Sequence, residues 1–215
     1  MKKAILRVLG IALVVGPAVV GFAQGKKPTD AYYITKEEVD TVNKTADVDR
    51  TIRVMDIGDQ HFSVGIIHRG ATTPRPATAT AAATPAPAPA PGTQSCGAPA
   101  GSGPMAGASG IAHDKQTEGY YIVSGAGTMV TGGHIVNGRT SAPNSEVTTT
   151  LNGPSCSGQI GGTVVRRDVK QGDIIIIPAG VPHGWANIPE HVDYLSFRPS
   201  SDILTVGYEH PSLKK

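Results

Sequence analysis

From Arg50 on, apolar and β-branched residues fall in short runs bounded by Gly, Pro and Asn, with no helical period. The pattern predicts strands over 51–57 and 62–68, joined as a hairpin at Gly58-Asp59. Further strands are predicted over 111–113, 118–124, 128–131, 163–169, 173–178, 183–188, 194–198 and 203–208, with a Gly/Asn/Ser/Thr-rich excursion over 132–162. Ile174 to Ile177 form an apolar run too short for a buried helix, which suits a strand covered on both faces. One helix is expected. Thr35 and Glu38 have the spacing of a capping box, Glu37, Glu38 and Asp40 favour the positive end of the helix dipole, and Asn43-Lys44-Thr45 stops the helix early.

Two stretches depart from this pattern. Residues 71–110 are nearly all Ala, Pro, Thr, Gly and Ser, including an alternating Pro/Ala run from Pro85 to Pro91. They hold almost nothing large and apolar to bury, so they are expected to be extended and polyproline-like or disordered. Such a stretch either links two domains or is thrown out as a loop of one. The second organisation fits better, because one helix and two strands are marginal alone and need a sheet to join. The reading is therefore an arm over 24–49, loose to residue 34 and then helical, one β domain over 50–208 interrupted by 71–110, and a tail over 209–215.

The other departure is the start. Lys2, Lys3 and Arg7 precede an apolar run over 8–20 and a small-x-small site at Gly21-Phe22-Ala23, the pattern of a secretory signal cleaved before Gln24. Gly16-Pro17 interrupts the run and argues against an uncleaved anchor, and no later run is long enough to span a bilayer. The expected location is the periplasm or outside the cell.

Cleavage would lower Lys+Arg from 19 to 16 against 17 Asp+Glu, taking the formal charge from +2 to −1. With no basic stripe left, nucleic acid and anionic membrane surfaces are poor partners. Cys96 and Cys156 lie in Gly/Pro/Ser-rich surroundings of a chain bound for an oxidising compartment, which favours a disulfide. A thiolate nucleophile or a cysteine metal site has less support, since neither cysteine has His, Asp or Glu near it in sequence.

Candidate chemistry concentrates in two segments. The first is Gly172-Asp173-Ile174-Ile175-Ile176-Ile177-Pro178-Ala179-Gly180-Val181-Pro182-His183-Gly184-Trp185-Ala186-Asn187, where the turn at Pro178-Ala179-Gly180 lets His183 open a returning strand with Trp185 and Asn187 on its face. The second is His113-Asp114-Lys115-Gln116-Thr117-Glu118-Gly119-Tyr120-Tyr121-Ile122-Val123-Ser124-Gly125. An offset of five would put His113 and Glu118 on opposite faces of one straight strand, but the polar 114–117 can bend and turn both inward.

Gly172, Pro178, Gly180, His183 and Asn187 resemble the second motif of the cupins at every fixed position, and His113, Glu118 and Gly125 resemble most of the first. The first motif's leading His is absent, with Ile111 in its place. The resemblance implies an all-β, double-stranded β-helix of the jelly-roll kind with its site in the barrel. It also implies a metal set of His113, Glu118 and His183, two imidazoles and one carboxylate that suit Fe, Mn or Zn as a divalent ion.

A His in a strand is also an ordinary hydrogen-bonded residue, and some members of this family bind no metal. His68 is a further ligand candidate, more simply a surface residue, as are His61, His134, His191 and His210. Tyr120 and Trp185 read either as core filling or as the wall of a substrate pocket. The implied function is a metal-dependent protein that acts on or binds a small oxygenated molecule. Alternatives are a non-catalytic, metal-free binding module and an envelope interaction protein that uses the Pro/Ala stretch as a spacer. Whether it is an enzyme stays open, as does a homodimer.

Overall fold

The computed structural model describes residues 28–72, 91–200 and 203–214. The expected signal over 1–23 and residues 73–90 of the Pro/Ala stretch lie outside them. Helix α1 (Lys36–Asn43) begins at Thr35 with both halves of the capping box formed. Its C-terminal end is closed by Arg50, whose guanidinium donates to the Asn43 and Thr45 carbonyls. The strands are β1 (Asp49–Asp56), β2 (His61–Thr72), β3 (Ser95–Cys96), β4 (Met105–His113), β5 (Glu118–Thr140), β6 (Ser155–Lys170), β7 (Ile174–Ile177) and β8 (His183–Ser200). All of the strand pairings are antiparallel, and β1 and β2 form the expected hairpin.

The architecture is the expected jelly roll. In one sheet, β1 pairs β2, β2 pairs the later part of β8, and β8 pairs the first part of β5, which also carries β7. The other sheet holds β4 between β6 and the start of β8, with β6 against the later part of β5 and β3 at the edge. Both β5 and β8 run through the two sheets, so strands predicted as separate, 118–124 with 128–131 and 183–188 with 194–198, are single long strands. The bend in β5 sits at Gly125, whose φ is +71°. A Cβ there would lie 2.0 Å from the His191 carbonyl oxygen, so only glycine lets β5 cross β8 at this distance. The barrel core gathers Ile67, Tyr120, Ile122, Val192 and Tyr194, and a separate cluster seals α1 against the outer face with Val42, Ile52 and Ile66.

Several expectations need correction. The stretch 71–110 is not irregular throughout: β2 continues to Thr72, and β4 starts at Met105 with Ala106 and Ala108 buried. Small residues are what this strand requires, since a Cβ on Gly110 would meet the His183 carbonyl oxygen at 2.3 Å. The excursion over 132–162 is mostly the pairing of β5 with β6, around a π-helical turn at Val147–Leu151. Ile174 and Ile176 are not covered but 71% and 65% exposed, because β7 pairs β5 alone and shows its outer face to solvent. Residues 203–208 form turns and not a strand. The tail is part of the fold: Glu209 pairs with Arg53, and Leu213 packs beside α1.

Cys96 on β3 and Cys156 on β6 form a disulfide, 60 residues apart in sequence. In the chain-entropy model such a ring contributes up to about 4 kcal/mol. Thiol titration of the denatured, unreduced protein should find no free thiol, and reduction should lower the thermal midpoint. Two reactive thiols before reduction would contradict the pairing.

Candidate metal centre and its pocket

His113 is the last residue of β4, Glu118 the first of β5, and His183 the first of β8, so three strand ends converge. The offset of five is resolved at the polar 114–117, as expected, by a turn that joins the end of β4 to the start of β5. All three side chains are buried, and their ligand atoms lie within 4.8 Å of one another. His113 Nε2 and His183 Nε2 stand 2.9 and 3.1 Å from the same oxygen, Glu118 Oε2. The second contact lacks hydrogen-bond geometry, and His183 Nε2 is buried without a hydrogen-bond partner.

The hydrogen bonds assign the tautomers. His183 Nδ1 faces the Val181 carbonyl at 3.0 Å, and a carbonyl only accepts, so the proton is on Nδ1. Ser155 Oγ gives its proton to the Gly153 carbonyl and stands 2.8 Å from His113 Nδ1, which therefore donates to it. Each neutral imidazole thus aims an Nε2 lone pair at a carboxylate oxygen. Such an arrangement repels itself unless a cation lies between the donors or the rings take up protons. Fixing Nδ1–H by a hydrogen bond is also how metal-binding histidines are oriented. Two donors each about 2.1 Å from an ion and at right angles would stand roughly 3 Å apart, in keeping with the observed separations.

The other carboxylate oxygen is fully engaged. Glu118 Oε1 accepts from Arg198 Nε at 2.6 Å and from Ser196 Oγ at 3.1 Å. Arg198, itself buried, reaches on to Asp49 Oδ2 and the Leu151 carbonyl. Burial opposes ionisation of Glu118, but the Arg198 guanidinium, with the neighbouring His113 and His183 imidazoles, outweighs it and holds the carboxyl well below its usual range. Burial raises the Tyr120 hydroxyl well above its ordinary value, helped by the Glu118 charge, and this hydroxyl donates to Glu118 Oε2 at 2.7 Å. Arg198, Ser196, Asp49 and Ser155 were missed in the sequence. The signal was there for two of them, since Tyr194, Ser196 and Arg198 alternate on one strand face and Tyr194 points into the core.

His113, Glu118, His183, Tyr120, Arg198 and Asp49 line a cavity of about 840 Å³. Trp185 and Tyr120 line this cavity and also pack on the core. Asn187, expected on the same face, does not line it. Ile111 does, and it pairs with His183 across the ladder, so the place of the absent first His lies beside the centre but carries no donor. His68 is exposed on β2 at the edge of the same cavity, its Nδ1 2.7 Å from Asp193 Oδ1, and has no part in the His–Glu–His set.

The family model described as Cupin matches residues 112–204. Among solved structures, a Bacillus halodurans protein is 12% identical with TM-score 0.40, over 81% of this chain and 85% of that one. A Klebsiella pneumoniae protein described as having a double-stranded β-helix domain is 15% identical with TM-score 0.36, over 81% and 94%. A Bacteroides fragilis cupin protein is 15% identical with TM-score 0.29, over 68% and 71%. No curated protein matches the sequence.

A depressed Glu118 contributes stability above its unfolded value near 4.5 and loses it as pH falls toward the lower folded value. The metal-free protein should therefore lose thermal stability progressively below about pH 4.5. Glu118→Gln should flatten that loss while destabilising the protein at neutral pH by about 3 kcal/mol, because Arg198 is left with one carboxylate. Midpoints for this variant equal to those of the wild type at each pH from 3 to 7 would contradict the assignment.

Proposed function

With the chain placed in the cupin superfamily by the match over residues 112–204, we propose that it holds one divalent transition metal on His113, Glu118 and His183. In this reading it acts on or binds a small oxygenated molecule in the barrel cavity. The observation that carries the reading is the pair of Nε2 lone pairs directed at one carboxylate oxygen, a donor set that suits a cation. When bound, the metal would supply a Lewis acid or a site for activating O2. The residues themselves orient and insulate. Ser155 and the Val181 carbonyl hold the two rings, Arg198 keeps Glu118 Oε1 occupied so that Oε2 alone faces the imidazoles, and Tyr120 and Trp185 wall the cavity. Fe, Mn and Zn all suit two imidazoles and a carboxylate.

A second reading, a metal-free binding module, is favoured by Ile111 beside His183, which leaves three donors where the family motif has four. Export belongs to the proposal as well, supported by the basic and apolar start of the sequence and by the disulfide.

Two measurements test this. Protein reconstituted in turn with Fe(II), Mn(II) and Zn(II) should retain about one equivalent of at least one metal after desalting, and His183→Ala should retain essentially none. Substoichiometric metal in the wild type with all three would leave the binding module in place of the metal reading. Mass spectrometry of protein secreted from an expression host should give a mature chain beginning at Gln24, and an intact Met1 terminus would remove the export reading.

A further inference from the structure

Arg69 lies two positions beyond Ile67 on the inward-facing row of β2 and lines the same cavity. Its Nε donates to the Tyr194 hydroxyl at 3.0 Å. Tyr194 is buried, its ring 4.5 Å from that of Tyr120 and 5.7 Å from that of Trp185. Since Tyr120 ends on Glu118, the guanidinium sits at one wall and the His–Glu–His set lies beyond the two tyrosines.

The two cations of this cavity differ in their partners. Arg198 is held by Glu118 and Asp49. Arg69 has no carboxylate partner among the described residues, and its Nη1 and Nη2 donate to none of them. The one acid that acts on it is Asp49, whose Oδ2 is already committed to Arg198. Asp47, which lines the same cavity, acts on Arg50, Tyr208 and His210.

A guanidinium pinned at Nε on the exposed rim of the cavity, with its two terminal nitrogens open, is a fork for a planar anion. We propose that the cavity binds a small carboxylate, its two oxygens received by Nη1 and Nη2 of Arg69 and its remainder directed past Trp185 toward the His–Glu–His set. Pinning by Tyr194 lowers the rotamer entropy lost on binding. The cavity volume is in the range of small-molecule sites. The assignment rests on the proposed function only for what the far end of the ligand meets, because the Arg69 contact does not require a metal.

The test uses benzoate and succinate as probes with benzamide and succinamide as neutral controls, titrated by calorimetry into metal-free and Zn(II)-reconstituted protein. Trp185 is the sole tryptophan, so its emission reports whether binding occurs in this cavity. The acids should bind at least tenfold more tightly than the amides and shift that emission. Arg69→Ala should abolish the preference, and Arg69→Lys, which keeps the charge but not the fork, should keep only part of it. The thermal midpoints should stay close to wild type, since Arg69 touches the fold through one hydroxyl. Acids that bind no better than amides, or as well to Arg69→Ala as to wild type, overturn the inference. The metal-free arm separates the two readings: an Arg69-dependent preference there upholds this one even if no metal is retained. Acid binding that needs Zn(II) but not Arg69 upholds the metal and overturns the fork.

Discussion

The division of labour between the two oxygens of Glu118 is the constraint on which the rest depends. A buried carboxylate is costly unless it is paired and hydrogen-bonded. Here Oε1 receives a guanidinium nitrogen and a hydroxyl, while Oε2 faces two imidazoles and a phenol. Arg198 also ties Asp49 of β1 to Glu118 of β5, so the hairpin that comes first in the domain is locked to the barrel through the same ion network. An architecture in which the first and last strands of a sheet meet at one charged side chain places its chemistry and part of its stability in the same few residues.

Close approach of backbones is the second requirement, and the chain meets it with small residues. Gly110 and Gly184 let β4 and β8 run against each other where a Cβ would meet carbonyl oxygens at 2.3 and 2.1 Å, and this brings His113 and His183 into one cluster. The part of β4 before Ile111 was therefore read as featureless. A stretch such as Met105-Ala-Gly-Ala-Ser-Gly-Ile has no side-chain period, because its place in the sheet is set by what its neighbours demand of it.

Much of the centre was nevertheless legible. His113, Glu118 and His183 converge as the motif spacing implied, the capping box at Thr35 forms, and Cys96 meets Cys156. Failures came where a neighbour decided the outcome. β5 and β8 run on through bends that look like strand ends, since Gly125 carries the same signal in a turn and in a crossing. Ile174 to Ile177 read as doubly covered because hydropathy cannot tell which edge of a sheet a strand occupies. Arg198 lay on a readable face, but nothing in its own sequence surroundings names Glu118, eighty positions earlier, as its partner.

The exposed row on β7 has a consequence for how the protein behaves in bulk. Four consecutive isoleucines on a strand with one neighbour form a β-prone, uncharged segment, the composition that stacks into cross-β ladders when chains meet. Asp173 directly before the run and Pro178 directly after it act as gatekeepers. They put a charge at one end and a missing N–H donor at the other, so the sticky register is held to four residues. Two residues outside the barrel's chemistry thus bound this segment, and losing either would lengthen the stretch open to strand pairing between molecules.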